Sequence, residues 1–223
     1  MYENIIIIPY RDRKEHLDYF LENSWPLIKQ YVNNVKLVIV EQEEGKSFNR
    51  GKVLNVGFKE YQDRTEYFIT HDVDINPKEN VIHLYNKKYD IYKVISPHSQ
   101  SFGLICKFSK NSILQLNGFP NNIWGWGIED RALYFKSKIK NINITNSQSK
   151  NNDFKTLYHK SNVETYKNEK KIISDKWSES HINTLNNEQK ENLINESGLN
   201  NLEYSVLERK EIMENVELIK VSI

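Results

Sequence analysis

Three short apolar runs, each ending in charged or turn-forming residues, constrain this chain more than any other feature. "NIIIIPY" is an unbroken apolar run closed by proline, and "VKLVIVEQ" and "EYFITHDVD" have the same character. Runs without polar alternation suit strands covered on both faces, as in a sheet flanked by helices. Helical periodicity lies between them. "RKEHLDYFLENSWPLIKQY" brings Leu17, Phe20, Leu21 and Leu27 toward one face, with Pro26 expected to bend or end the helix. "NRGKVLNVGFKEY" does the same with Leu54, Phe58 and Tyr61.

Further along, "YDIYKVIS" reads as a fourth strand. "SKNSILQLNG" reads as a short helix with Ser109 as N-cap and Gly118 as its terminator. "EDRALYFKSKIK" is a helix with carboxylates in its first turn, where the helix dipole favours them, and "VELIKVSI" is a closing strand. Residues 146–201 are rich in Asn, Lys, Ser and Glu and read as long loops with a polar helix. The expectation is one α/β domain over residues 1–223, with a mixed, largely parallel central sheet flanked by helices. Such sheets bind ligands at the carboxyl ends of their strands, where "PYRDR" and "HDVD" both fall.

Composition narrows the functional classes. The 223 residues carry 31 basic and 30 acidic side chains, so no bulk charge points to nucleic acid. Cys106 is the only cysteine, which excludes an intramolecular disulfide and a cysteine-based metal knuckle. Its place in "FGLICKF" suggests a buried, unreactive thiol. No segment approaches the ~18 apolar residues needed to span a bilayer, and "IIII" is too short for a signal-peptide core. The expectation is a soluble chain, cytoplasmic or a trimmed catalytic domain.

The chemistry is concentrated in three places. In "HDVD", Asp72 and Asp74 stand two apart at a strand end, where paired carboxylates can hold a divalent cation and neutralise a leaving diphosphate. In "PYRDR" and "FNRGK", Arg11, Arg13, Arg50 and Lys52 stand beside Tyr10 and Phe48, suiting phosphates next to a base. In "WGWGIEDR", Trp124 and Trp126 alternate with glycines ahead of Glu129 and Asp130. Rings on a pliable backbone suit the apolar face of a hexose, and the carboxylates suit its hydroxyls or a proton.

The segments "FNRGKVLNVGF", "HDVD", "NGFPNNIWGWGIED" and "GLNNLEYSVL", in this order, resemble the β-1,4-galactosyltransferase family. The resemblance implies a GT-A fold and a metal-dependent, inverting transferase using a UDP-sugar. It implies that Pro9, Tyr10, Arg11, Arg13, Phe48, Arg50, Asp72 and Val73 hold UDP. It implies manganese, or magnesium, on Asp74 and His159, with Asp72 as a further candidate ligand. Trp126 and Trp124 would meet the sugars, Glu129 the acceptor, and Asp130 would be the general base.

The chain departs from the family pattern at several positions. Arg131 follows the Glu-Asp pair where an acidic residue is common, and Thr156 replaces a metal-binding methionine. "SFGL" replaces "YFGG", so Ser101 leaves room near C2 of the donor sugar and Leu104 replaces a glycine on the acceptor side. UDP-Gal and UDP-GalNAc are therefore both candidate donors, with UDP-GlcNAc as an alternative. A catalytically weak sugar-binding module is the other class. A nucleotidyltransferase would carry a glycine-rich loop after its first strand, and "PYRDRKEH" has no glycine. The acceptor, whether glycan, glycolipid or glycoprotein, and the oligomeric state are not specified by the sequence.

Overall fold

The computed structural model describes residues 1–125, 127–158 and 167–223, with backbone alone at 167–170. Its centre is β1 (Tyr2–Tyr10), which pairs in parallel with both β2 (Val35–Gln42) and β3 (Thr65–His71). Two apolar layers explain the unbroken isoleucine run. Ile5 and Ile7 enter one core with Val38, Val40 and Val53, while Ile6 and Ile8 enter a second with Leu37, Ile39 and Phe20. A strand alternates its side chains between faces, so a strand inside two cores has no solvent-facing position left for polar residues.

The outer members of the main sheet are β5 (Ile91–Ile95), β6 (Ile105–Ser109), β7 (Ile144–Asn146), β9 (Ser205–Met213) and β10 (Val216–Ser222). Among the described residues eight strands form this sheet, in the order β7-β5-β6-β3-β1-β2-β10-β9. A separate ribbon joins β4 (Ile75–Pro77) to β8 (Phe154–Thr156). The sheet is mixed, with β6 antiparallel to both β3 and β5, and β9 antiparallel to β10. This is a GT-A-like arrangement. Among the described residues no helix is long and apolar enough to cross a membrane.

On one face lie α1 (Lys14–Tyr19), a π-helical segment at Phe20–Ser24, α2 (Trp25–Tyr31) and α4 (Glu79–Ile82). Pro26 neither ends nor interrupts this helical run. It occupies the first turn of α2, directly after the wider π segment, where a missing N–H costs little. On the other face α3 (Arg50–Tyr61) buries Val53, Leu54, Val56 and Phe58. Next to it are α5 (Lys110–Gln115), capped by Ser109 as expected, and α6 (Glu129–Ile139).

Five strands, β4, β6, β7, β8 and β9, go beyond the sequence reading, as does α4. The apolar "FGLICKF" stretch supplies β6, and Cys106 is fully buried there, its thiol pushed up by burial. β9 has almost every residue exposed and a charged middle, so it lacked the apolar signature of a strand. Residues 146–201 contain α7 (Lys167–Lys176), α8 (Glu179–Thr184) and α9 (Asn187–Asn195) where long loops and one polar helix were expected. Their few apolar residues are well placed, because Trp177, Ile182 and Leu193 pack with Ile123, Ala132 and Phe135 in a third core.

An asparagine bracket ties these layers together. Asn55, buried in α3, accepts from Phe119 N at 2.8 Å and donates to Phe119 O at 2.7 Å and Asn121 Oδ1 at 2.8 Å. Asn49 Nδ2 donates to Asn121 O at 2.7 Å, and Asn121 Nδ2 donates to Gly198 O at 2.7 Å. Lys136 Nζ, fully buried, donates to Gly118 O and Ser197 O, both at 3.0 Å. Gly118 has φ +61, and a Cβ there would lie 2.3 Å from Asn55 Oδ1. The "NGFPNN" motif is therefore a polar clamp between α3, α6 and the Leu199–Asn201 turn.

Replacing Asn55 would strand buried backbone groups of Phe119. Asn55→Ala is expected to lower unfolding free energy by about 2–4 kcal/mol, read as a reduced urea midpoint. An unchanged midpoint would contradict the clamp.

Candidate active site

The carboxyl ends of the parallel strands β1, β2 and β3 open onto one edge of the sheet, and several of the described candidate residues lie there. Pro9 and Tyr10 close β1, with Tyr10 nearly buried and its hydroxyl raised in pKa by burial. Arg11 Nη1 donates to Lys46 O at 2.6 Å, and its guanidinium lies 5.3 Å from the Phe48 ring centre. Arg13 forms the N-cap position of α1. Phe48 also meets the tryptophan loop, since its carbonyl accepts from Gly125 N at 2.8 Å. Trp124 is half-buried against the first core, with Lys46 Nζ 5.7 Å from its ring.

At the centre stands Arg50, the first residue of α3. Its Nε and Nη2 donate to Asp72 Oδ1 at 3.0 and 2.8 Å, and its Nη1 donates to Asp130 Oδ1 at 2.7 Å. The same Nη1 lies 3.8 Å from Glu129 Oε1. Burial works against the charge on Arg50, but the surrounding carboxylates Asp130, Asp72 and Glu129 overcome it and hold the guanidinium protonated. One cation thus joins the end of β3 to the first turn of α6.

The two carboxyls on α6 differ. Glu129 is 5% exposed, and its Oε2 has no hydrogen-bond partner among the described residues. Burial, and then the charge on Asp130, push its carboxyl up to about 8. Asp130 is also raised by burial, but the Arg50 guanidinium opposes the shift. Its other oxygen faces the 101–104 turn, where a Cβ at Gly103 would lie 2.9 Å from Asp130 Oδ2 and 3.3 Å from Ser101 Oγ. Gly103 is a residue that sequence reasoning passed over, and its lack of a side chain is what admits the carboxylate.

That turn is held from beneath. Ser101 Oγ accepts from Gly103 N at 3.0 Å, and Ser101 O accepts from Ser96 Oγ at 2.8 Å. Lys93, nearly buried in β5, donates from Nζ to Ser99 O at 2.7 Å and His98 O at 3.2 Å. A lysine among the apolar residues of "IYKVI" was the available signal for this brace. Leu104 has φ +67, a conformation that costs a branched residue energy, and its carbonyl accepts from Asp72 N at 3.0 Å.

The "HDVD" segment divides its work. His71 is fully buried, and burial lowers its pKa to about 4, so the ring is neutral. Its Nδ1–H donates to Asp72 O at 2.9 Å, which leaves Nε2 to accept from the Tyr85 hydroxyl at 2.9 Å. Val73 packs its side chain into the second core, so only its backbone can face a ligand. Asp74 is 8% exposed, and its carbonyl accepts from Leu157 N at 2.8 Å. The β4–β8 ribbon therefore brings residues 154–158 alongside the Asp-Val-Asp turn.

Among the described residues no three His, Cys, Asp or Glu side chains cluster as a metal site. The donors present nevertheless fit a hard divalent cation, because Asp72 and Asp74 offer carboxylate oxygens at the end of β3. His159 and Trp126 themselves lie outside the described residues.

Comparison with known proteins identifies the family. Residues 1–87 match the N-terminal region of glycosyl transferase group 7, and residues 84–160 match the N-terminal domain of galactosyltransferase. The chain is 30% identical over 213 residues to β-1,4-galactosyltransferase 1 of Bos taurus, covering 91% of this chain and 50% of that one. It is 32% identical over 165 residues to β-1,4-galactosyltransferase 4 of Homo sapiens, covering 69% and 48%. The chain thus spans about half the length of these curated relatives.

In solved structures, a similar fold occurs in a Drosophila β-1,4-galactosyltransferase 7 mutant crystallised with manganese, UDP-Gal and xylobiose. The TM-score is 0.81 at 21% identity, covering all of this chain and 94% of that one. With both halves of the group 7 signature in order along one GT-A-like sheet, the chain belongs to the β-1,4-galactosyltransferase family.

Proposed function

We propose that the protein is a metal-dependent, inverting hexosyltransferase that moves Gal or GalNAc from a UDP-sugar to a hydroxyl of a glycan acceptor. The observation that carries this reading is Asp130, gripped on one oxygen by the same Arg50 that binds Asp72 and facing the Gly103 turn with the other. Tyr10, Arg11, Arg13 and Phe48 would hold the nucleotide, with Pro9 shaping the strand end and Asp72 and the Val73 backbone meeting the ribose. Asp74 and His159 would hold manganese or magnesium, which when bound offsets the charge of the diphosphate.

The chain's own residues supply the remaining steps. The acceptor O–H gives its proton to the Asp130 carboxylate as the oxygen attacks the anomeric carbon. The new C–O bond forms opposite the breaking bond, whose electron pair leaves with UDP, so configuration inverts. A base with a pKa raised toward the working pH is a more effective proton acceptor, and burial moves Asp130 in that direction. Glu129, largely protonated below pH 8, would donate a hydrogen bond to the acceptor. Trp124 and Trp126 would pack on sugar faces. Arg50 acts on the nucleotide side by keeping Asp72 and Asp130 in register.

The Ser101 hydroxyl turns back onto its own loop, which supports a donor with a bulkier C2 substituent. UDP-GlcNAc remains the alternative donor, and Leu104 would narrow the acceptor side.

Asp130→Asn is expected to lower transfer by ~10²–10⁴-fold while calorimetry still detects UDP binding. Unchanged turnover in a folded variant would remove Asp130 from the chemistry. Glu129 gives a separate thermodynamic expectation. A carboxyl raised from 4.5 to about 8 contributes stability that is complete below pH 4.5 and is lost as pH rises through 8. The parent protein should therefore lose stability across this window at up to about 1.4 kcal/mol per pH unit, and Glu129→Gln should flatten the profile. Equal slopes would show that Glu129 is ionised throughout.

A further inference from the structure

At the opposite end of the sheet from Asp72 is a cavity of about 550 Å³. It lies where β3 and β7 begin, β6 ends and β5 is entered, and its walls include Tyr67, Lys88, Tyr89, Asp90, Asn143 and Thr145. Tyr67 and Asp72 are five residues apart, so β3 separates this cavity from the transfer site by about 16 Å. We propose that it is a second carbohydrate-binding site, taking one or two residues of a neutral glycan.

Rigid aromatic presentation is the first argument. Tyr89 is 43% exposed, yet its ring stacks on the nearly buried Tyr92 at 5.1 Å and 27°. A large exposed ring fixed from behind loses little freedom when it meets a ligand. Tyr67 is braced similarly, with the buried Lys107 ammonium 4.4 Å from its ring centre. Rings of this kind suit the C–H faces of a pyranose while their hydroxyls meet oxygens.

The charges argue for a neutral ligand. Lys107 is buried and donates to Tyr85 O at 2.7 Å, and the half-exposed Lys88 lies 3.4 Å from Glu3, which offsets its charge in part. The Asp90 carboxylate on the rim would repel an anion but can accept from adjacent sugar hydroxyls. Backbone groups behind it are already occupied, since Ser109 N donates to Asp90 O at 2.8 Å and Ile91 N to Asn143 O at 3.3 Å. The side chains of Asp90, Asn143 and Thr145 are left as the hydroxyl-reading set. The mainly polar wall disfavours a lipid.

This proposal adds to the transferase reading a place where a longer glycan could be held, but its test needs neither UDP-sugar nor metal. The probe is methyl β-lactoside, followed by saturation-transfer NMR on the full chain. The result expected is transfer to the probe that survives excess UDP with manganese and survives Asp130→Asn. Tyr89→Ala should weaken binding about tenfold, whereas Tyr89→Phe, which keeps the ring, should retain it at the same thermal midpoint. No saturation transfer in the parent chain would overturn the proposal. So would binding unaltered by Tyr89→Ala, and so would binding lost with Asp130→Asn, which would place the sugar in the transfer site. Neither a negative result here nor a positive one alters whether UDP is released during turnover.

Discussion

The guanidinium of Arg50 is the constraint on which the site depends. Three carboxylates, Asp72, Glu129 and Asp130, converge on it from two different elements. Without a cation at that point, two adjacent acids at a helix start would face a third across a nearly buried gap. Burial alone makes that arrangement costly, because charge removed from water must be paired. Arg50 can provide the pairing because Asn49 starts α3 there, its side chain accepting from Lys52 N at 2.9 Å. A cap fixed by one asparagine therefore sets the position of the central charge.

The asparagine clamp works on the other side of the same helix. Asn55 and Asn121 hold the 117–122 segment against α3, and Lys136 pins it to the Ser197–Gly198 turn. From that fixed base the chain passes through Gly125, Gly127 and Ile128, all at positive φ, before α6 begins. These left-handed residues let the chain turn sharply from a rigid root into α6. Gly127 would meet nothing within 4 Å if given a Cβ, so its requirement is conformational and not one of space.

Much of this was legible in the sequence, for identifiable reasons. The doubly buried strands declared themselves through unbroken apolar runs, and Ser109 caps α5 as expected, whereas the helix ends at Gln115, ahead of left-handed Asn117 and Gly118. β9 was not legible, because an edge strand can carry charges on both faces and still pair on one side. After Asn146 one polar helix was expected and three are present, because sparse apolar positions give weak periodicity until Trp177 finds its partners on α6. In the site, the charged residue types could be read, but their pairing could not. Nothing in "FNRGK" tells that Arg50 reaches both Asp72 and Asp130, and nothing in "SFGL" tells that Gly103 lies against a carboxylate. "NGFPNN" could be read as a signature, but its work as a clamp emerges only in three dimensions.

The most direct test of the account is UDP release by the purified chain, measured across a panel of UDP-sugars with an acceptor library, with and without manganese. The account predicts release that requires metal, is selective for one donor and is accelerated by an acceptor. Absence of both UDP release and metal-dependent UDP binding, in a folded protein, would contradict it.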